Sequence, residues 1–324
     1  MSDLFLVTGA QGCIGSWVTK QLVEAGERCL VFDADPQPRR LSVLLPPGDL
    51  PEIVAGDIRD LEEFCALVHS RGVTRIIHLA GIMVPGCRKD PVGGALVNVV
   101  GTLNVFEAAR RLRSQVRQIA FASSVAVFGP EELYESGPVG EGVALHPRTH
   151  YGVYKQANEA NARVFFDDEG ISSIGLRPWA VYGVGRDQGL TSDPTRALKA
   201  AVLGRAFEIR FGGRIDLQYV ADVADAFVRA AASDLQGARI YNLRGDVVPV
   251  PEIIDTIERL VPAARGMITS TGGALPFPPE MDDQQIQRDL SGLQRTTLQN
   301  GLRETRDLFE TMLRQGRLEV DAQG

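Results

Sequence analysis

The sequence is poor in cysteine and histidine, with four of each in 324 residues. Cys13, Cys29, Cys65 and Cys87 are scattered and form no C-x-x-C pair. That argues against a metal cluster or disulfide framework and fits a reducing cytoplasm. His78 falls in a strand pattern without a second histidine or carboxylate at metal spacing, so no metal site is expected. There is no basic tract, and the formal net charge is −7. Gripping a phosphate backbone needs a basic face, so a nucleic-acid partner is not expected. No apolar run approaches the roughly 18–20 residues that span a bilayer, and no membrane association is expected. The N-terminus, MSDLFLVTGA, enters a strand pattern at once, without the basic and long apolar regions of a signal peptide. Hydrophobic residues make up 44% and charged residues 23%, which is a folded globular composition rather than a disordered one.

What is present is an alternation of short apolar runs and helical patterns. Residues 4–10, 28–35, 52–58, 75–81, 117–124 and 172–178 read as strands. Helices read over 13–25, 60–69 and 92–113, and another opens near 149. Runs bounded by Gly, Pro and Asp that alternate with helices predict βαβ units in an α/β fold, a Rossmann-type doubly wound parallel sheet. After Pro178 the texture changes. Residues 179–214 are rich in Gly, Arg and Asp, and 262–285 carry Pro and Gly clusters. Between them, 219–232 reads as a helix and 239–244 as a strand. A last helix starts on a Thr cap and carries an apolar stripe at Leu298, Leu302, Leu308 and Met312.

The segment TGAQGCIG follows the first strand and opens the first helix. Gly9 permits a tight turn, Gly12 lets backbone approach a pyrophosphate, and Gly15 lets helix and sheet pack closely. The phosphates then rest on the helix N-terminus around Cys13 and Ile14, where free N–H groups favour an anion. Asp33 ends the second strand, where a carboxylate accepts both ribose hydroxyls of NAD and repels a 2′-phosphate. Arg39 and Arg40 complicate this, because folded over the ribose they would tolerate NADP. In GDIRD, Asp57 is placed to meet the adenine amino group, with Ile58 against the ring, or to cap the next helix. The expected organisation is therefore an NAD-binding Rossmann domain over 1–178, with 215–245 returning to it. A smaller substrate-binding C-terminal lobe takes 179–214 and 246–324.

THYGVYKQANEA begins the helix near 149. Tyr151 and Lys155 are i and i+4 and share a face. A free phenol with a pKa of ~10 is a poor base at neutral pH, and lowering it by about three units needs roughly 4 kcal/mol of differential stabilisation. A nearby ammonium favours the phenolate. Tyr151 would then take a hydroxyl proton while hydride leaves the same carbon, with Ser124 at the end of the fifth strand hydrogen-bonding that oxygen. Tyr154 lies outside the Y-x-x-x-K register and is expected to pack only.

Taken together, TGAQGCIG, Asp33, GDIRD, HLAG, NVVGTLNV, FASSVAVFG and YGVYK resemble the extended short-chain dehydrogenase/reductases, and within them the NAD-dependent epimerase/dehydratase family. RPWAVYGVG and YVADVADAF carry the resemblance to about residue 228. It maps the family's catalytic serine, tyrosine and lysine to Ser124, Tyr151 and Lys155. It implies NAD as cofactor, with Lys155 on the nicotinamide ribose, Leu79, Ala80, Gly81 and Asn98 along the cofactor path, and Pro178 near the nicotinamide. It also implies a homodimer through the helices near 92–113 and 149–169.

Departures from the family pattern narrow the activity. Val125 and Ala126 replace the acid pair of the sugar dehydratases, and neither side chain can move a proton. The family's diphosphate-binding asparagine after the strand-end arginine is missing, since Arg177 is followed by Pro178, Trp179 and Ala180. Ile215 occupies the position of a later nucleotide-facing arginine, with Arg214 one residue before it. Val84, Ser124, Trp179 and Arg186 are the candidate substrate contacts, with Gln188 beside Arg186 in a polar loop. The expected function is NAD-dependent hydride transfer at a secondary alcohol of a sugar or sugar-like polyhydroxylated compound, as a dehydrogenase or an epimerase. A UDP-sugar 4-epimerase is one alternative, and a non-catalytic NAD-binding redox sensor is another. Cys13 and Cys87 are expected to be inert, with nothing basic beside them.

Overall fold

The computed structural model describes residues 2–318. The first half runs β1 (Leu4–Thr8), α1 (Cys13–Glu24), β2 (Arg28–Asp33), the short α2 (Leu41–Leu44), β3 (Glu52–Ala55), α3 (Leu61–Arg71) and β4 (Arg75–His78). It continues through α4 (Val84–Lys89), α5 (Pro91–Ala95), α6 (Gly101–Arg111), β5 (Gln118–Ala122), α7 (His150–Glu169) and β6 (Ser173–Arg177). Every residue of β1, β4 and β6 is buried, as parallel strands covered by helices on both faces must be.

The rest of the chain runs β7 (Ala180–Tyr182), α8 (Asp193–Val202), β8 (Phe207–Ile209), β9 (Arg214–Tyr219), α9 (Val220–Ala232) and β10 (Ala238–Asn242). It ends with β11 (Asp246–Pro249), α10 (Val250–Leu260), β12 (Ile268–Ser270), α11 (Gln284–Asp289) and α12 (Leu298–Arg314). Seven strands make one parallel sheet in the order β10-β6-β5-β4-β1-β2-β3. The order reverses between β1 and β4, and the crevice at the carboxyl ends of those strands is where such sheets bind ligands.

Two cores flank the sheet. Leu6, Phe32, Phe64, Ile76 and Phe121 pack under α3 and α6. On the other face Val7, Trp17, Leu22 and Ile77 pack with α1 and α9, and this core continues unbroken into the C-terminal lobe through Trp179, Tyr182, Phe211, Ile253 and Leu302. Of residues 215–245, α9 and β10 lie against the main sheet. β9 instead pairs with β7 and β11 in a separate three-stranded sheet. Thr297 caps α12 by accepting from Asn300 N. Residues 319–324, assigned to the lobe from sequence, lie outside the described residues.

One exclusion needs correction. Pro91–Arg111 is a continuous helical stretch of 21 residues, long and apolar enough to cross a bilayer. Half of it is buried in the fold, and Asn98, Thr102 and Asn104 on it are buried and hydrogen-bonded to Ile82 O, the His78 ring and Ile58 O, so it serves as a helix of the protein interior. Between α5 and α6 this stretch passes through a π-helical turn, Leu96–Val100, which carries Asn98.

Candidate active site

The glycine loop has the shape that an NAD pyrophosphate requires. Gly9 has φ +70°, and a Cβ there would stand 2.5 Å from Ala80 N, so any side chain would collide with the segment after β4. Gly12 is the capping position before α1 and supplies no side-chain cap, which leaves the helix N-terminus open to an anion. A Cβ on Gly15 would strike the Gly9 carbonyl. Asp33 stands at the rim, where its carboxylate accepts from Gln11 N at 2.9 Å and Asp35 N at 3.1 Å. Arg40 is committed elsewhere: it donates to Gln11 O and grips both carboxylate oxygens of Asp187 at 2.7 Å. Arg39 is exposed, with Asp35 at 4.0 Å.

The capping role offered to Asp57 belongs to Asp60, which accepts from Glu63 N at 3.0 Å. Asp57 pairs with Arg59, whose hydrogen bonds hold its carboxyl below the usual carboxylate value. Ile58 is buried, and its carbonyl accepts from Asn104 Nδ2 at 2.9 Å. Leu79 N donates to Thr8 O at 3.0 Å, so Leu79, Ala80 and Gly81 continue along the β1 edge. Asn98 Nδ2 donates to Gly94 O and Ile82 O, while its Oδ1, buried and without a partner, is aimed at Gly81. An orphaned acceptor and a glycine cradle on the same edge are what a nucleotide path needs.

Ser124, Tyr151 and Lys155 converge at the carboxyl end of β5. Ser124 Oγ accepts from Ala126 N at 3.1 Å and faces the Tyr151 phenol, favouring its ionised form. Lys155 Nζ sits 5.5 Å from the centre of the Tyr151 ring. Tyr154 turns away, donates to Pro91 O at 2.7 Å and stacks on His150. The expected drop in the phenol's pKa is not what the protein alone provides. Burial raises the Tyr151 pKa, against the opposing effects of Ser124 and Arg186. The same burial pushes Lys155 down to about 8. His78, held between Thr8 Oγ1 at 2.7 Å and Thr102 Oγ1 at 3.0 Å, is pushed down to about 3 and stays neutral beside them.

The thiols need a second correction. Arg186 and Arg40 do face Cys13, and Lys155 faces Cys87, yet burial wins and raises both thiols, Cys13 to about 11. Inertness therefore comes from desolvation and not from a lack of basic neighbours. Pro178 O accepts from Val125 N at 3.0 Å beside Ser124. Trp179 is core: its Nε1 donates to Pro278 O at 2.8 Å and its ring meets Phe277 edge-on. Val84 opens α4 and is half-buried. Val125 and Ala126 are buried in a tight turn.

Sequence reasoning missed Glu159, one helical turn beyond Lys155 on the same face. Its carboxylate takes Arg177 Nε and Nη2 at 2.7 Å each and Ser123 Oγ at 2.5 Å, all buried. This pair ties α7 to the ends of β5 and β6 and keeps a negative charge near Lys155. The i, i+4 spacing from Lys155 was the available signal.

A profile of the NAD dependent epimerase/dehydratase family matches residues 5–243. The chain belongs to this family. It is 33% identical to a UDP-glucose 4-epimerase of Mycolicibacterium smegmatis, over 72% of this chain and 75% of that protein. It is 29% identical to UDP-glucuronate 4-epimerase 2 of Arabidopsis thaliana, over 92% and 74%. Among solved structures, an L-threonine dehydrogenase from Clostridium difficile matches with a TM-score of 0.83 at 21% identity, covering 97% of this chain and 99% of that one. MoeE5 in complex with UDP-glucuronic acid and NAD matches at 0.79 and 26%, covering 95% and 99%. Family membership makes this an NAD-dependent enzyme on an extended short-chain dehydrogenase/reductase scaffold.

Proposed function

We propose that the enzyme transfers hydride between NAD and a secondary carbinol of a sugar or sugar-like polyhydroxylated substrate, with net oxidation or epimerisation as the outcome. The observation that carries this reading is the convergence of Ser124, Tyr151 and Lys155 at the sheet edge below the glycine loop. Gly9, Gly12 and Gly15 seat the pyrophosphate, Asp33 accepts the ribose hydroxyls, and Asn98 and Gly81 flank the path to the reacting end. Bound NAD would supply a hydride acceptor and, while oxidised, a positive charge that favours the phenolate. Ser124 orients the carbinol oxygen, and Tyr151 takes its proton. Lys155 holds positive charge near that proton and orients the ribose.

The test is incubation with excess NAD and a panel of sugars, sugar acids and UDP-sugars. Stoichiometric NADH means net oxidation, and product without NADH means epimerisation. Tyr151→Phe should cost several orders of magnitude in kcat and Tyr154→Phe little; equal losses would refute the assignment. NAD binding without turnover of any compound would favour the redox-sensing alternative. A UDP-sugar 4-epimerase remains the second reading, supported by the names of relatives such as that of Mycolicibacterium smegmatis. Against it stand buried Ile215 at the nucleotide-facing position and Arg214, which turns to Glu280 at 3.5 Å.

The same reading includes a homodimer. Val92 and Val100 on the 91–111 stretch, and Val153 and Val164 on α7, are exposed apolar side chains on the two helices expected to pair with a second copy. A gel-filtration mass tests this. Four free cysteines support a cytoplasmic setting.

A further inference from the structure

The loop from Gly183 to Ser192 lies over the glycine-rich loop and is fastened to it from two sides. Trp17 Nε1 on α1 donates to Val184 O at 2.9 Å. Arg40 bridges Gln11 O and Asp187, and its side chain packs against Gly185. Gly185 and Gly189, with φ of +92° and +84°, let the chain turn back between these anchors. The effect is to send Arg186 across the cleft.

Arg186 has few partners for a charged group. Its Nη2 donates to Thr191 Oγ1 at 2.8 Å within the loop. Its Nη1 reaches Met83 Sδ at 3.7 Å on the opposite wall, next to Val84 at the start of α4. Its Nε is buried with no partner at all. A guanidinium has five N–H donors and a thioether is a weak acceptor, so most of this fork is unspent. Among the described residues no carboxylate pairs with it, whereas the neighbouring charge of Arg40 is cancelled by Asp187. The charge of the guanidinium favours ionisation both of the Tyr151 phenol and of Cys13 on the glycine loop.

We propose that Arg186 grips a carboxylate of the substrate close to the carbinol that Tyr151 deprotonates, so that the substrate class is hydroxy acids, sugar acids among them, rather than neutral sugars. The planar fork of an arginine matches a carboxylate through two parallel hydrogen bonds. An unpaired positive charge in a half-buried cleft is costly, and an anionic ligand relieves that cost, which a neutral sugar cannot do. A diphosphate is the other anion such a fork could take. Arg214 is exposed and turned to Glu280, which leaves a sugar nucleotide without its second grip. This inference rests on the hydride-transfer reading for its location, but its test does not depend on turnover.

The experiment is a thermal-shift titration of the NAD-saturated protein and of Arg186→Gln. The probes are D-glucuronate, D-galacturonate and D-gluconate, set against D-glucose, D-galactose and D-glucitol, with UDP-glucose as a separate arm. The expected result is stabilisation by at least one acid and by none of the neutral partners. Arg186→Gln should weaken acid binding roughly 10- to 100-fold, the loss of a charge-assisted hydrogen-bond pair, with Arg186→Lys recovering part of it. NAD affinity, read by quenching of tryptophan fluorescence, should stay within about threefold. Binding of neutral sugars or UDP-glucose but no acid overturns the proposal. So does an Arg186→Gln variant that loses NAD as much as it loses the acids, because the arginine then serves the cofactor. Acid binding through Arg186 with neither NADH nor an epimerised product formed upholds this inference while the hydride reading falls. NADH from neutral carbinols without acid binding does the reverse.

Discussion

Lys155→Met should make the protein more stable at neutral pH while it abolishes most of the activity. Lys155 is 4% exposed, and burial pushes its ammonium from 10.5 down to about 8, with Cys87 and Glu159 pulling the other way. At 1.36 kcal/mol per pKa unit this is about 3 kcal/mol. The folded state holds the proton less tightly than the unfolded chain, so the charged lysine opposes folding. That penalty is complete below pH 8. It shrinks as pH rises from 8 toward 10.5, where both states have lost the proton, and is absent above. Methionine keeps the stem and removes the charge, at the loss of a cation–π contact with Tyr151 worth about 0.5–1 kcal/mol. The variant should therefore gain about 2 kcal/mol over wild type at pH 7, and the gain should vanish by about pH 10. Urea unfolding of both proteins at the two pH values measures it. A variant that is less stable at pH 7, or a gap that ignores pH, would refute the reasoning.

Glu159→Gln should cost about 3–5 kcal/mol, because it leaves Arg177 charged and buried without a counter-charge, facing one neutral amide oxygen beside Asn242 Oδ1, the Glu141 carbonyl and the face of Phe128. The double change Glu159→Leu with Arg177→Met should recover most of that loss in the same unfolding assay. Asp33→Asn should raise the Kd for NAD roughly 10- to 100-fold, through loss of charged acceptors for the ribose, with little change in melting temperature of the unliganded protein. Asp216 is fully buried, and burial raises its carboxyl to about 7. Its ionisation opposes folding in full above pH 7 and progressively less as pH falls toward 3.8, so the stability of Asp216→Asn relative to wild type should drop by up to about 4 kcal/mol between pH 8 and pH 4.

The parts of the site legible in the sequence are those fixed by contiguous segments. Strand, glycine spacing and helix start lie within a dozen residues, and backbone sterics alone allow few ways to fold them. Tyr151 and Lys155 needed only the helical repeat. What escaped depended on choices made elsewhere. Asp57 read as a possible cap, and the turn in which Asp60 N bonds Asp57 O puts Asp60 in that place instead. β9 has the pattern of a buried strand in either sheet, and its pairing with β7 and β11 depends on where β7 leaves Pro178. The π turn at Leu96–Val100 adds one residue to a helical turn without disturbing the apolar pattern around it, yet it sets the position of Asn98.

The electrostatics of the proposed catalytic pair were the least legible part. The i, i+4 spacing gives the Coulomb partner, and Coulomb attraction alone would lower the phenol. Desolvation depends instead on how the whole fold wraps the pair, and the groups set around it come from five places in the chain. Gly81 lies under Lys155, Cys87 on α4 stands beside it, Ser124 follows β5, Glu159 lies further along α7, and Arg186 crosses from the lobe. As a site dries, the attraction between opposite charges grows, but the cost of creating each charge grows as well and can exceed it. Here it does for the tyrosine and the lysine, while at His78 burial and the like charge of Lys155 act together. The protein alone thus holds the pair leaning toward its neutral forms, and the residue spacing that identifies the site could not have revealed it.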